Sequence, residues 1–150
     1  MTTEATLALK QAAPWLARRD RTREEVVGWM LSRGHSQEVA QEAVDWLTAK
    51  RFVSDERVAN DTVARLGGTK GREAIASRLM ARGVSEPDLA QALAGFDEEA
   101  ERLAAEAILD QRPALRSDPA KAGRFLSARG FSEQTVLSII EDLGLPHEAD

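Results

Sequence analysis

The chain contains no cysteine, and this absence excludes three classes of chemistry at once. Without thiols there is no disulfide bond, no thiolate-bound metal ion and no thiol nucleophile, and the composition suits a reducing compartment. Long apolar runs are also missing, since no stretch approaches the roughly 20 residues that a membrane-spanning helix needs. Residues 1–10 lack a basic segment followed by an apolar core, so we expect no signal peptide. The sequence therefore predicts a soluble cytoplasmic protein with no membrane partner.

An excess of positive charge is missing as well. The 150 residues carry a formal net charge of −5, with 20 lysines and arginines against 25 aspartates and glutamates. Proteins that bind duplex DNA through bulk electrostatics are usually basic, so this class is disfavoured, although a local basic patch stays open. Hydrophobic residues make up 43% of the chain, which is enough for a folded core.

The sequence contains an internal repeat. The dipeptide Arg-Gly recurs at nearly equal intervals, at Arg33-Gly34, Arg82-Gly83 and Arg129-Gly130. A serine follows each dipeptide at the same distance, and a residue suited to a helix start precedes each at the same distance. These residues are Ser36, Ser85 and Ser132, and Thr22, Gly71 and Asp118. Such self-similarity is typical of stacked helical units.

Each unit is interpreted as three helices. Apolar residues recur at helical spacing within Thr22–Arg33, where Thr22 and Glu25 form a capping-box pattern. The glycine after each arginine suits a helix C-cap with positive φ, and the serine suits the N-cap of the next helix. A further helix precedes this pair and carries apolar residues such as Leu7 in the first unit and Leu103 in the third.

We therefore predict an all-α protein of nine helices and no sheet, built from three tandem three-helix repeats. The predicted repeats cover residues 1–50, 51–96 and 97–145, followed by a C-terminal tail at 146–150. Breaks are expected at Gly67–Gly71 and Arg112–Pro119, and Pro14 is expected to kink or restart the first helix. Units this small barely bury a core alone, so the repeats are expected to stack into an elongated, curved array.

Candidate catalytic and metal-binding groups are sparse. The histidines, His35 and His147, lie at a repeat turn and near the C-terminus, and a metal site needs several convergent ligands. Carboxylates cluster at predicted helix starts, where they favour the helix dipole. The loop Gly67–Gly71 contains a lysine but lacks the spacing of a phosphate-binding loop and follows no strand. We predict no enzyme, no metal site and no cofactor.

Tryptophans and arginines remain as candidates. The tryptophans fall on apolar helical faces, which favours core packing over base stacking for Trp15, Trp29 and Trp46. Basic side chains cluster near repeat turns and helix ends, where they form either solvated helix ends or a patch that meets acidic protein or phosphate. The candidate partner-binding residues are Arg19, Arg21, Arg51, Lys70, Arg72 and Arg82.

Three segments match a known family in their order and spacing. Leu16–Val26 has an arginine-rich turn, then a hydroxyl residue and an acidic–aliphatic pair. Arg51–Ala59 has an aromatic–aliphatic–acidic stretch that leads to an alanine, and Gly71–Ser85 has glycine, isoleucine, leucine and glycine in series. In these features the chain resembles the RecX family of bacterial regulators of the recombinase RecA, from about Leu7 to Leu143.

The resemblance implies a non-enzymatic regulator. Members of that family bind RecA, lie in the groove of its filament on single-stranded DNA, and block extension or promote disassembly. We expect a monomer that binds and inhibits the RecA filament, with single-stranded DNA contacted through a local basic patch. The residues themselves leave three alternatives open: a DNA-binding module of helix-turn-helix-like repeats, a scaffold for another partner, and regulation in either direction.

Overall fold

The computed structural model describes residues 1–144, and these form ten α-helices with no strand among them. The helices are α1 Thr3–Leu16, α2 Arg23–Ser32, α3 Gln37–Ala49, α4 Asp55–Leu66, α5 Arg72–Ala81, α6 Glu86–Ala94, α7 Glu98–Asp110, α8 Pro113–Arg116, α9 Pro119–Ala128 and α10 Glu133–Gly144. The all-α prediction is confirmed, with three tandem three-helix repeats. The predicted tail and His147 lie outside the described residues. The repeat boundaries and the curved shape stay predictions.

The count of nine helices is wrong because a short helix, α8, occupies the predicted break after α7. Pro113 stands at its first position, where a fixed φ and a missing N–H are compatible with a helix. A single turn forms, and its Leu115 is buried. The Asp118 carboxylate then caps α9 by accepting a hydrogen bond from the Lys121 amide at 3.2 Å.

Helix α1 is continuous at Pro14, so the helix does not restart there. Thr2 provides the N-cap and accepts a hydrogen bond from the Ala5 amide at 3.1 Å, so the helix begins at Thr3. Pro14 lies in the last turn, where its missing N–H removes only one hydrogen bond close to the helix end. The helix therefore runs on to Leu16.

The three Arg-Gly turns share one backbone conformation, as the repeat predicts. Their glycines have positive φ, at +91° for Gly34, +86° for Gly83 and +82° for Gly130. In each turn the amide after the glycine reaches back to the carbonyl five residues earlier, from His35 to Met30, from Val84 to Leu79 and from Phe131 to Leu126. This is the bonding of a Schellman cap, for which glycine is favoured.

The predicted N-caps are confirmed in part. Thr22 and Glu25 form a complete capping box, and the Ser36 hydroxyl accepts from the Val39 amide at 3.2 Å. Ser132 is different, because its hydroxyl donates to the Glu101 carboxylate at 2.5 Å instead of capping α10. The Ser85 hydroxyl donates to the Asp88 carboxylate at 3.1 Å.

The helices form two compact units whose division falls within the middle repeat. Unit 1 comprises Met1–Asp61 and Leu79–Leu89, and unit 2 comprises Thr62–Arg78 and the chain from Ala90 onward. The core of unit 1 includes Val26, Met30, Ala43, Val44 and Leu47. The core of unit 2 includes Leu109, Leu126, Phe131, Val136 and Ile139.

The first helices of the first and third repeats bury a different face from the one carrying the predicted leucines. Leu7 is half exposed, and α1 instead buries three alanines, Ala5, Ala8 and Ala12. Leu103 is 62% exposed, and α7 instead buries Glu101, Ala105 and Leu109. The leucines did not indicate the buried face for two reasons. In α1 the buried face consists of small residues that permit close helix packing, and in α7 it includes a carboxylate, a residue type that is usually exposed.

Candidate partner-binding surface

The six predicted partner-binding residues are shared between the two units. Unit 1 contains Arg19, Arg21, Arg51 and Arg82, whereas unit 2 contains Lys70 and Arg72. Each unit has one Arg-Gly turn packed against the start of an earlier helix. We call the contact of Thr22–Glu25 with Arg82–Gly83 the first junction, in unit 1. The contact of Gly71–Ala74 with Arg129–Gly130 is the second junction, in unit 2.

The Arg82 side chain makes its hydrogen bonds within the first junction. Its guanidinium makes two hydrogen bonds to the Glu25 carboxylate, at 2.9 and 3.1 Å, and a third to the Asp20 carbonyl at 3.1 Å. The Thr22 hydroxyl donates to the Arg82 carbonyl at 2.6 Å. A bidentate arginine–carboxylate pair fixes geometry as well as charge. Arg82 therefore has a structural role at this junction.

Glu25 links the capping box to this arginine. Burial alone would raise the pKa of Glu25, but hydrogen bonds from Arg82 and the Thr22 amide outweigh it and hold the pKa below its ordinary value. Arg19 lies at 3.9 Å from the same carboxylate, and its side chain is 61% exposed. Of the two arginines near Glu25, Arg19 is thus the one accessible to a partner.

Arg21 packs on an aromatic stack. Its guanidinium lies 4.1 Å from the Trp15 ring centre, and Trp15 stacks on Trp29 at 5.3 Å. Burial, and then the neighbouring Arg19, lower the pKa of Arg21. Both tryptophans pack against the unit 1 core, as predicted, and Arg33 covers Trp29 at 4.8 Å. Arg21 therefore also has a structural role here.

The third tryptophan contradicts its predicted place in the core. Trp46 is 37% exposed and packs against the more exposed Phe52, with ring centres 5.9 Å apart. The predicted apolar face of α3 is buried through Val39, Ala43 and Leu47, and Trp46 lies beside it rather than within it. Arg51, which precedes Phe52, is exposed and has a φ of +62°.

In unit 2, Arg72 is held on both its backbone and its side chain. Its amide donates to the Glu101 carboxylate at 2.6 Å, and its guanidinium donates to the Phe96 carbonyl at 3.3 Å. Lys70, two residues earlier, is exposed and forms no ion pair within residues 1–144. Lys70 is thus available to a partner, whereas Arg72 contributes to the junction.

Glu101 is a buried carboxylate that the sequence analysis missed. It accepts hydrogen bonds from the Ser132 hydroxyl at 2.5 Å, the Thr135 hydroxyl at 2.6 Å and the Arg72 and Ser132 amides. Burial alone would raise the pKa of Glu101, but these donors outweigh it and hold the pKa below its ordinary value. The signal was its spacing, since Glu101 continues the Ala105 and Leu109 face of α7.

A basic platform in unit 2 was also missed. The guanidiniums of Arg112 and Arg129 lie 4.8 and 4.7 Å from the centre of one ring, that of Phe125. Arg129 also donates to the Thr69 carbonyl at 3.4 Å, next to Lys70. We call Arg112, Arg129, Phe125 and Lys70 the Phe125 platform. The repeat contained the signal, because Arg129 corresponds to Arg82, while the position of Glu25 is taken by Ala74.

The platform suits recognition of anions. None of its three cations forms an ion pair with an acidic residue in the part of the chain that the structure describes. Guanidinium groups bind phosphate and carboxylate through paired hydrogen bonds. An anionic partner would therefore offset the repulsion between the like charges of Arg112 and Arg129.

The structure gives less support to other classes of function, such as metal binding. Among residues 1–144, no group of three or more histidine or acidic side chains is placed to hold a metal ion. His35 bonds through Nε2 to the Gln11 side chain at 2.6 Å. Over the same residues, no helix combines the length and the apolar character required to cross a membrane.

Comparison with known proteins identifies relatives over most of the chain. The family model for the first three-helix domain of RecX matches residues 8–47. The regulatory protein RecX of Mycobacterium ulcerans is 35% identical over 134 residues, covering 83% of this chain and 78% of the relative. That of Chromohalobacter salexigens is 34% identical and covers 91% of this chain and 92% of the relative.

Solved structures show the same fold. A crystal structure of RecX from Lactobacillus salivarius matches with a TM-score of 0.80 at 21% identity, over 97% of this chain and 100% of that one. A second crystal structure of a regulatory protein RecX matches with a TM-score of 0.77 at 23% identity, over 93% of this chain and 73% of that one.

Proposed function

Because the chain belongs to the RecX family of regulatory proteins, we propose that it binds the recombinase RecA in its filament on single-stranded DNA and inhibits recombination. The protein acts without catalysing a reaction. It occupies the filament, and thereby blocks extension or promotes disassembly. A binding mechanism needs surfaces with complementary charge rather than a nucleophile or a cofactor.

The observation that carries this proposal is a contrast among the basic side chains. Six arginines form ion pairs with carboxylates inside the protein: Arg23, Arg57, Arg82, Arg102, Arg116 and, at the longer distance of 3.9 Å, the exposed Arg19. Arg51, Lys70, Arg112 and Arg129 have no such pair within residues 1–144, although the chain has an excess of acid. Counter-charges for this second group would come from the partner.

The roles of the six predicted residues differ accordingly. Arg19, Arg51 and Lys70 are exposed and contact the partner directly. The remaining three, Arg21, Arg72 and Arg82, act through the fold that positions these surfaces. A double reversal of Arg19 and Arg21 would mix the two roles, because Arg21 packs on Trp15.

The test therefore reverses two exposed charges, Arg19→Glu with Arg51→Glu, and measures binding of the labelled protein to RecA filaments. The matched control is Lys10→Glu, an exposed charge on α1. We expect the double variant to bind about tenfold more weakly and the control to bind within about twofold of wild type. The melting temperatures should be unchanged. Equal binding by the double variant would contradict the assignment of these arginines.

A second candidate function, direct contact with single-stranded DNA, is favoured by the Phe125 platform. Cations around an aromatic ring are the groups that hold a single strand. Arg112 precedes α8 and Arg116 is its last residue. Both are exposed, but of the two only Arg116 has an acidic partner among the described residues, Asp110. Arg112→Ala should therefore weaken binding to an oligothymidylate several-fold and reduce its salt dependence, while Arg116→Ala should change little. Equal effects of the two variants would argue against the platform.

A further inference from the structure

An exposed aromatic pair lies at the end of α3 in unit 1. Trp46 is 37% exposed and Phe52 is 62% exposed, and their rings pack at 5.9 Å with a tilt of 37°. Large aromatic side chains are favoured at the centres of protein interfaces, because they bury much area with few rotatable bonds. Neither ring is needed to fill the unit 1 core, which closes through Val44, Leu47 and Val53.

The turn that presents Phe52 is held rigidly. The amides of Phe52 and Val53 both donate to the Leu47 carbonyl, at 2.9 and 3.3 Å, and Val53 is buried. The Arg57 guanidinium donates to the carbonyls of Arg51 and Phe52, at 3.1 and 3.2 Å. The exposed position of Phe52 is therefore specified by the fold.

Backbone strain accompanies this turn. Arg51 is the one non-glycine residue with positive φ among the described residues, at +62°. A side chain in this region costs about 1 kcal/mol or more, and such residues cluster at active sites, ligand clamps and switch regions. The strained residue therefore lies immediately beside the aromatic pair.

Positive charge flanks the rings without a counter-charge. The Lys50 ammonium lies 6.0 Å from the Trp46 ring centre, and Arg51 is exposed. Neither forms an ion pair within residues 1–144. The nearby carboxylates of Asp45 and Asp20 are engaged elsewhere, by Arg23 and Arg57. The patch is thus apolar at its centre and basic at its edge.

We propose that Trp46, Phe52, Lys50 and Arg51 form a docking surface for an acidic–apolar segment of a protein partner. The partner packs an apolar side chain against the rings and places carboxylates against Lys50 and Arg51. This inference rests on the proposed function, in which the protein partner is the recombinase.

Charge on the other side of Arg51 favours a protein over a nucleic acid. A groove of about 680 Å³ begins there, and four acidic residues line it: Asp55, Glu56, Asp61 and Asp88. Arg23 and Arg57 line it too, but their guanidiniums are paired with Asp45 and Asp20. A phosphodiester backbone that continued past Arg51 would meet these carboxylates and be repelled. A short protein segment can end at the patch or present a basic residue to the groove.

The test compares Phe52→Ala and Lys50→Glu with wild type and with Leu103→Ala. Leu103 is a matched control, because it is equally exposed, apolar and located in unit 2. Binding of each labelled protein to RecA filaments is measured, together with binding to an oligothymidylate without RecA. We expect Phe52→Ala and Lys50→Glu to bind filaments about tenfold more weakly, with melting temperatures and oligonucleotide binding unchanged. Leu103→Ala should behave as wild type.

Two results would overturn the docking surface and leave the proposed function intact. One is filament binding by Phe52→Ala within twofold of wild type. The other is weaker oligonucleotide binding by Phe52→Ala, which would assign the patch to nucleic acid. A wild-type protein that fails to bind filaments would overturn both the surface and the proposed function.

Discussion

The two junctions solve the same packing problem with different chemistry. In each, a carboxylate accepts the first amide of a helix, Asp55 from Arg23 at 2.8 Å and Glu101 from Arg72 at 2.6 Å. In each, the Arg-Gly turn offers the arginine carbonyl to the start of that helix. The donor is the Thr22 hydroxyl at 2.6 Å in the first junction and the Gly71 amide at 3.0 Å in the second.

What differs is the use of the arginine side chain. In the first junction Arg82 is clamped by Glu25. In the second, Ala74 takes the position of Glu25, and Glu101 provides the internal carboxylate instead. Arg129 is therefore left on the Phe125 platform, free of an acidic partner in the described chain. The same repeat position is thus structural in one unit and available for binding in the other.

The largest expected effect comes from Glu101→Ala. The change leaves the Arg72 amide and two hydroxyl groups without their acceptor in a buried site, and each unsatisfied donor costs about 1–3 kcal/mol. We expect the free energy of unfolding to fall by about 3–5 kcal/mol, measured by urea denaturation. Glu99→Ala, an exposed acid on the same helix, should cost less than about 1 kcal/mol. Equal losses would show that Glu101 is not central to the second junction.

A slightly smaller effect is expected for Gly71→Ala. An added Cβ would overlap the backbone of Gly130 and Phe131, so the backbone of the junction would have to shift. The cost should be about 2–3 kcal/mol in urea denaturation. Gly28→Ala is the control, since its Cβ would meet nothing within 4 Å and alanine favours a helix. That variant should gain up to about 1 kcal/mol. A neutral Gly71→Ala would mean that the second junction is looser than described.

The arginines test the comparison most sharply. Arg82→Met should cost about 1–2 kcal/mol, because Glu25 loses its bidentate partner in a partly buried site. Arg129→Met should cost less than about 1 kcal/mol, since it removes a long bond to the Thr69 carbonyl and an uncompensated cation over the Phe125 ring. Thermal unfolding of the two variants measures the two losses of stability for comparison. A larger loss for Arg129→Met would reverse the assignment of roles.

The smallest effect is a dependence on pH. The folded protein holds the pKa of Glu101 and Glu25 below their ordinary values, so the unfolded chain binds more protons in acid. Their contribution is complete above the unfolded pKa and is lost as the pH falls through the folded pKa. The urea midpoint of the wild-type protein should therefore decline as the pH falls below the unfolded pKa of these carboxyl groups. The midpoint of Glu101→Gln should decline less steeply over the same range. An unchanged slope in that variant would remove Glu101 as a cause.

Local features were predictable from the sequence, whereas the burial of particular side chains in the tertiary structure was not. The glycines of the Arg-Gly turns and the Thr22–Glu25 box depend on a few neighbouring residues, and their patterns are readable directly. The burial of Glu101 and the exposure of Trp46 depend on which side of a helix meets a distant segment. Residue type pointed the wrong way in both cases, because acids are usually exposed and tryptophans usually buried.

The proposed binding surface was predictable only in outline. Basic clusters were identified, but exposure separates Arg19 and Arg51 from Arg82, although Arg19 and Arg82 lie near the same carboxylate. Exposure is a tertiary property. Arg129 could have been found earlier, because the repeat aligns it with Arg82 and places Ala74 where Glu25 would be. Comparing partners across repeats, rather than counting charges, would have pointed to the Phe125 platform.

The most direct test of the central claim is ATP hydrolysis by RecA on single-stranded DNA, with this protein added at substoichiometric amounts. We expect strong inhibition at low ratios, because a protein that occupies filaments affects many subunits through one binding event. Unchanged hydrolysis, with RecA filaments confirmed to be present, would contradict the account and separate the RecX fold of this chain from RecA regulation.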